Sequence, residues 1–218
     1  MLAGAACLGI SPLKAQSQPS GEPNKIGGEA ALARLMEGNA RYVADKQGPS
    51  CNSACRSSLT QSQHPIAVML SCSDSRVSPE LIFDQEPGEI FVIRIAGNVI
   101  DTDILASLEF AVEELKVPLI MVMGHSGCGA VTAALKVARD KITVPGHLKT
   151  LVGQIRPAVK EAARASGDEL ADAIIVNARM SAQKIAGSQA ILGPAIANGS
   201  AKLVTSVYDL ASGRVSVL

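Results

Sequence analysis

Two short segments carry the residues of this chain best suited to chemistry: Cys72-Ser73-Asp74-Ser75-Arg76 and His125-Ser126-Gly127-Cys128. Together they supply two thiols, an imidazole, a carboxylate and a guanidinium. Two Cys sulfurs and one His nitrogen can fill three tetrahedral positions on Zn²⁺ and leave the fourth for water, which separates catalytic from structural zinc. Residues 72, 74 and 76 alternate, so in an extended segment thiol, carboxylate and guanidinium point the same way. An Asp with an Arg two residues on is held ionised and oriented, fit to accept a proton or a hydrogen bond from a metal-bound water. Taken alone, Asp74 with Arg76 reads as a surface ion pair, and His125 with Cys128 as a core His beside an inert or redox-active thiol. Their combination, and their placement at the ends of strands, is what singles out zinc.

Those strand ends follow from the apolar pattern. Ile66 to Leu70, Ile90 to Ile95 and Leu119 to Met123 are short continuous apolar runs, which predict buried parallel strands. Ser71-Cys72 leaves the first run and Gly124-His125 leaves the third. Ligands of open α/β sheets bind outside the carboxyl ends of strands, so both chemical segments are predicted to meet there. Cys128 also opens an Ala/Val/Leu helix, whose dipole favours the thiolate a metal requires, and Gly127 and Gly129 let backbone approach closely.

Helical spacing appears from Glu29 to Lys46, from Asp103 to Lys116 and around Leu148 to Arg164 and Glu169 to Ala186. Ser78-Pro79-Glu80 reads as a helix start, with Ser as cap and Pro in the first turn. Pro157 is placed to bend the helix that contains it. Lys202 to Tyr208 and Val215 to Leu218 flank Ser212-Gly213 as a terminal hairpin or an added edge strand. Strands alternating with helices predict an α/β fold: a mostly parallel central sheet flanked by helices, with an N-terminal helical arm and a C-terminal antiparallel edge. Phe110 falls off the core stripe of its helix, which suggests a second contact surface such as a subunit interface.

The 218 residues, 47% of them hydrophobic, suit one domain, assigned to residues 28 to 218. Residues 1 to 27 differ, with an apolar run from Leu2 to Ile10 and then a Gln/Ser/Pro/Gly-rich stretch. They read as an export signal or a disordered tail; the run is too short to span a bilayer, and no basic residue precedes Leu2. Export would place the protein in the periplasm or outside the cell, and its failure in the cytoplasm. Twenty basic and 20 acidic side chains, mixed along the chain, leave no electrostatic footprint for nucleic acid or an anionic membrane. With no Trp, three Phe and two Tyr, platforms for stacking bases are lacking, and a small polar substrate fits better. Cys51 and Cys55 would lie one turn apart on a helix, a geometry that disfavours a disulfide, so they are expected to remain separate thiols.

At the level of motifs the chain resembles a β-class carbonic anhydrase over about residues 29 to 218. The resemblance rests on Ser71-Cys72-Ser73-Asp74-Ser75-Arg76-Val77, Arg94-Ile95-Ala96-Gly97-Asn98 and Gly124-His125-Ser126-Gly127-Cys128-Gly129. It implies zinc ligands Cys72, His125 and Cys128 and an Asp74-Arg76 dyad, with Asp74 either bound to zinc as a fourth ligand or paired with Arg76. The implied reaction is reversible hydration of CO₂ to bicarbonate and a proton by zinc-bound hydroxide, because zinc lowers the pKa of its water toward ~7. It further implies homodimers or multiples of dimers with the site near the subunit interface.

Gln63 stands where plant-type members of that family carry a Gln that hydrogen-bonds substrate; Gly129 is the second candidate substrate contact. Met69 and Ser71 replace the Trp and Gly of members regulated by bicarbonate in a non-catalytic pocket, which argues against that pocket here. Phe110 stands where the family usually has Tyr, keeping the ring and losing the hydroxyl. Two rival readings share the residues: hydrolysis of CS₂ or COS on the same zinc scaffold, and a non-catalytic zinc-binding or thiol-redox protein.

Overall fold

A sheet of five strands, ordered β2-β1-β3-β4-β5, supports the described part of the chain: β1 (Ala67–Ser71), β2 (Ile90–Arg94), β3 (Leu119–His125), β4 (Lys202–Tyr208) and β5 (Val215–Val217). The first four run parallel, and β5 returns antiparallel on β4. The computed structural model describes residues 26–48, 51–164 and 167–218. The helices are α1 (Gly28–Val43), α2 (Ser53–Ser58), α3 (Pro79–Ile82), α4 (Thr102–Glu113), α5 (Gly129–Asp140), α6 (Leu148–Ala162), α7 (Glu169–Ala186) and α8 (Leu192–Ala197).

Every residue of β1 and β3 is buried, the burial on both faces that a continuous apolar run requires. Val68, Leu70, Ile120 and Val122 pack with Leu108 and Val112 of α4, Ala178 and Ile185 of α7 and Leu192 of α8. On the opposite face Met69, Met121, Met123 and Val204 pack with Ala31 and Leu35 of α1 and Ile82 at the end of α3. α5, α6 and the start of α7 form a third cluster, with Val131, Ile155 and Ile174 beside Cys72 and Cys128.

The N-terminal arm is fixed by its backbone as much as by its stripe. A Cβ on Gly38 would lie 1.7 Å from the Phe83 carbonyl oxygen, so only glycine lets α1 approach this closely. Asn39, buried one residue on, donates to the Ile82 and Gly213 carbonyls and accepts from the Val215 N–H. One amide thus ties α1 to α3 and to the terminal hairpin.

The structure revises several expectations. β3 continues through Gly124 to His125, because β4 pairs with it as far as His125 opposite Tyr208. Lys202 to Tyr208 is both an added parallel strand and one arm of the hairpin. Ser78 has the extended backbone of a cap, but its side chain makes no capping bond. Pro157 lies inside α6 without ending it. Of two short helices, α8 had no expectation behind it, and α2 was considered only as a helix that would carry both Cys51 and Cys55. Asn52 opens α2, its side chain accepting from the N–H groups of Ala54 and Cys55. Cys51 and Cys55 form a disulfide, contrary to expectation: Cys51 precedes α2 rather than lying on it, and the Cα atoms stand 5.4 Å apart, a bridging distance. The expected export-like segment falls almost wholly outside the described residues.

Candidate metal centre

β1 and β3 are parallel neighbours, so their carboxyl ends lie side by side. Cys72 is the first residue past β1, His125 the last of β3, and Cys128 the residue that precedes α5. Topology alone therefore gathers the three. One donor atom from each, two Sγ and an imidazole nitrogen, lies within 4.8 Å of both others, and all three residues are buried.

The imidazole is already set for coordination. His125 Nδ1 lies 3.0 Å from the Ser126 carbonyl oxygen, which can only accept, so Nδ1 carries the proton and Nε2 the lone pair. Nε2 is buried and makes no hydrogen bond among the described residues. A buried acceptor without a partner costs about 1–3 kcal/mol, and a cation between it and the two sulfurs removes that cost. Ser126 is held in turn, its N–H donating to the Tyr208 carbonyl and its Oγ accepting from the Leu210 N–H.

Each sulfur also has defined surroundings. Cys72 Sγ accepts the Gly97 N–H at 3.2 Å. Gly97 has φ +69°, a left-handed conformation that favours glycine, so the turn that aims this N–H depends on it. Hydrogen bonding from Cys128 draws the Cys72 thiol well down against its burial, and the Gly97 N–H adds to the effect. Cys128 is pushed up, first as the donor in that bond and then by burial. A cation bound by both sulfurs would take them as thiolates and displace the protons they carry.

Asp74 stands beside this cluster in the grip of Arg76. The Arg76 Nε donates to Oδ1 at 2.9 Å, its Nη2 to Oδ2 at 2.7 Å, and its backbone N–H to Oδ1 at 3.0 Å. This bidentate pairing holds the Asp74 carboxyl well below the usual carboxylate range. Asp74 Oδ2 is also 3.9 Å from His125 Nε2, so the carboxylate borders the metal position while paired away from it. The expected extended run of residues 72 to 76 is corrected. The chain turns at Ser75-Arg76, with the Val77 N–H on the Asp74 carbonyl, because the Asp74 side chain competes for the backbone N–H two residues on.

The remaining candidates lie farther out. Gly129, at the first position of α5, is exposed, and nothing lies within 4 Å of where a Cβ would be. Gln63 is half-buried between α2 and β1, and no hydrogen bond joins it to the cluster among the described residues. Phe110 is 48% exposed and packs against Phe91 of β2 with ring centroids 6.1 Å apart.

Three supporting residues were given no role on sequence grounds. Arg94, the last residue of β2, donates to the carbonyls of Cys72 and Asp74 and so fixes the backbone that carries them. Asn177 and Ser181 of α7 donate to the carbonyls of Gly97 and Asn98 and hold the turn that presents the Gly97 N–H. The signal for the last two was a polar pair spaced one turn apart on a buried helix face.

Comparison with known proteins places the chain in a family. A family model described as "Carbonic anhydrase" matches residues 67–215. The chain is 42% identical over 193 residues to a carbonic anhydrase of Mycolicibacterium smegmatis, covering 86% of this chain and 92% of the relative. It is 39% identical over 186 residues to carbonic anhydrase 2 of Mycobacterium tuberculosis, covering 85% and 90% respectively. Among solved structures, a tetrameric β-carbonic anhydrase of the ascomycete Sordaria macrospora matches with a TM-score of 0.69 and 25% identity, covering 87% of this chain and 95% of its own.

Proposed function

This chain belongs to the β-carbonic anhydrases, and we propose that it holds Zn²⁺ on Cys72, His125 and Cys128 to interconvert CO₂ and water with bicarbonate and a proton. Zinc, when bound, lowers the pKa of water toward ~7 and so supplies a nucleophile near neutral pH. The observation that carries the ligand assignment is His125 Nε2, a buried lone pair with no hydrogen-bond partner among the described residues, facing two buried sulfurs.

The chain's own residues divide the remaining work. Cys72 and Cys128 would hold the cation as thiolates, that of Cys72 stabilised by the Gly97 N–H. Asp74, kept ionised by Arg76, is placed to orient the attacking water by accepting a hydrogen bond on Oδ2. Arg76 keeps that carboxylate out of the fourth ligand position, which Asp74 would otherwise close. Gly129 leaves room for substrate at the start of α5, and Gln63 is assigned a hydrogen bond to substrate oxygen. The proton leaves to water or protonated buffer.

We propose further that the protein works as a homodimer or a multiple of dimers. The exposed Phe110 ring, packed on the half-buried Phe91 at the β2 edge of the sheet, supports this, as does the tetrameric state named for the Sordaria macrospora relative. Export to the periplasm or beyond is supported by the composition of residues 1 to 27 and by the Cys51–Cys55 disulfide, a bond that persists in oxidising compartments.

The test is stopped-flow CO₂ hydration with metal analysis on the wild type and on Cys128→Ala. The wild type is expected to carry one zinc per chain and to exceed the buffer blank clearly. A fully zinc-loaded wild type no faster than the blank would overturn the assignment.

A further inference from the structure

Among the described residues a second group of potential metal donors lies apart from the catalytic cluster: Cys51, Cys55 and Glu86, each offering one ligand atom within 4.8 Å of both others. The sulfurs come from the entry to α2 and the carboxylate from the loop between α3 and β2, so the group joins segments distant in sequence. Glu86 Oε2 is buried and has no hydrogen-bond partner among the described residues. The Glu86 backbone N–H is used, donating to Glu89 Oε2, but this leaves the Oε2 of Glu86 itself unsatisfied. A carboxylate that stands beside two sulfurs and carries an oxygen without a partner can take a cation, as His125 Nε2 can in the catalytic cluster.

We propose that Cys51, Cys55 and Glu86 form a second, redox-gated site for a thiolate-preferring divalent cation such as Zn²⁺ or Cd²⁺. Two soft sulfurs and one carboxylate suit such ions and suit Mg²⁺ or Ca²⁺ poorly. In the structure the sulfurs are bonded to each other, which is the closed state of the site. Opening it takes two electrons: a dithiol donor passes its two hydrogens to the Cys51–Cys55 bond and becomes a disulfide, leaving two thiols. The cation then displaces both thiol protons and binds two thiolates with the Glu86 carboxylate.

The chain geometry gives this exchange a consequence. The disulfide closes the loop of a sequence separation of 4 and ties the chain only to itself. The cation would instead clip the segment that leads through Gln63 into β1 to the loop that leads into β2. Both sulfurs are only half-buried, so a dithiol can reach them.

The experiment is equilibrium dialysis of the zinc-loaded enzyme against Zn²⁺ or Cd²⁺, with and without prior reduction by a phosphine. The phosphine takes the oxygen of one water to become its oxide as the disulfide becomes two thiols. Bound metal is expected to rise from about one to about two per chain on reduction, and to return to about one in reduced Glu86→Gln and reduced Cys51→Ser/Cys55→Ser. Retained CO₂ hydration in these variants reports that the catalytic site is intact. A reduced wild type, with its two additional thiols verified by titration, that still binds one metal per chain would overturn the proposal, as would a second metal that survives both substitutions. Neither result bears on the catalytic assignment, because the first metal is counted separately.

Discussion

Two pairs of cysteines in one chain have opposite fates. Cys72 and Cys128 are free thiols, buried at 4% and 1% exposure; Cys51 and Cys55 are half-buried and joined. Both pairs meet a third donor, His125 or Glu86. The difference lies in what holds them. Cys72 and Cys128 are brought together by two parallel strands, and Cys72 carries the Gly97 N–H as well. Cys51 and Cys55 are neighbours along the chain and need no sheet to meet. Hydrogen bonding to a sulfur stabilises thiolate, whereas proximity alone permits a bond between sulfurs, so the scaffold around a Cys pair decides its chemistry.

The sharpest way to break that comparison is to exchange a Cys in each pair. Cys128→Ala is expected to lower zinc affinity and CO₂ hydration by more than the roughly 10–100-fold typical of losing a supporting residue, since a ligand itself is gone. Cys55→Ser should leave both unchanged. Metal content and stopped-flow rates on the two purified proteins decide it; equal losses would mean that the two pairs are not functionally separate.

The next test removes the scaffold and leaves the ligands. Asn177→Ala with Ser181→Ala deletes two buried hydrogen bonds to the turn at Gly97 and Asn98. Zinc affinity, read by competition with a chelator, is expected to fall about 10-fold or more. Each unsatisfied carbonyl should cost about 1–3 kcal/mol in denaturant unfolding. Loss of stability with unchanged zinc affinity would reduce α7 to a packing element.

How much of this was readable beforehand follows the same division. The clustering of Cys72, His125 and Cys128, the Asp74-Arg76 pair and the parallel sheet were legible because apolar runs and strand-end motifs are local signals. The turn at Ser75-Arg76 was not, since a side-chain bond to backbone overrode the alternation of residues 72, 74 and 76. The roles of Arg94, Asn177 and Ser181 depend on partners far along the chain, which spacing does not reveal. α2 escaped because a six-residue stretch of Ser, Cys, Ala and Arg has no apolar period, and with it went the geometry that lets Cys51 reach Cys55.

Arg76→Ala sharpens the comparison from the catalytic side. Freed from its partner, Asp74 is expected to close the fourth position and lower kcat/KM by about 10-fold, a loss of roughly 1.4 kcal/mol in transition-state stabilisation. Zinc content should stay at one per chain. The stability effect has its own pH signature. Asp74 is held below its ordinary value, so the contribution of the pair is fully present above the unfolded Asp pKa of about 3.9 and is lost as pH falls below it. The stability difference between wild type and Arg76→Ala should therefore be flat across neutral pH and shrink in acid. A difference that instead grew below about pH 4 would contradict the ion-pair assignment.

The smallest effect is expected at the disulfide. A loop this short removes little freedom from the unfolded chain, so Cys51→Ser/Cys55→Ser should cost less than the roughly 3 kcal/mol of a fifteen-residue loop. Without added metal, reduction of the wild type should match the double variant in urea unfolding. With excess Zn²⁺ the two should part, the reduced wild type gaining stability as RT ln(1 + [L]/Kd) for the proposed second site and the double variant gaining none. Coincident unfolding curves at every zinc concentration would leave the Cys51–Cys55 pair a local staple, and the contrast with the catalytic pair would then be one of structure against chemistry rather than of two metal sites under different control.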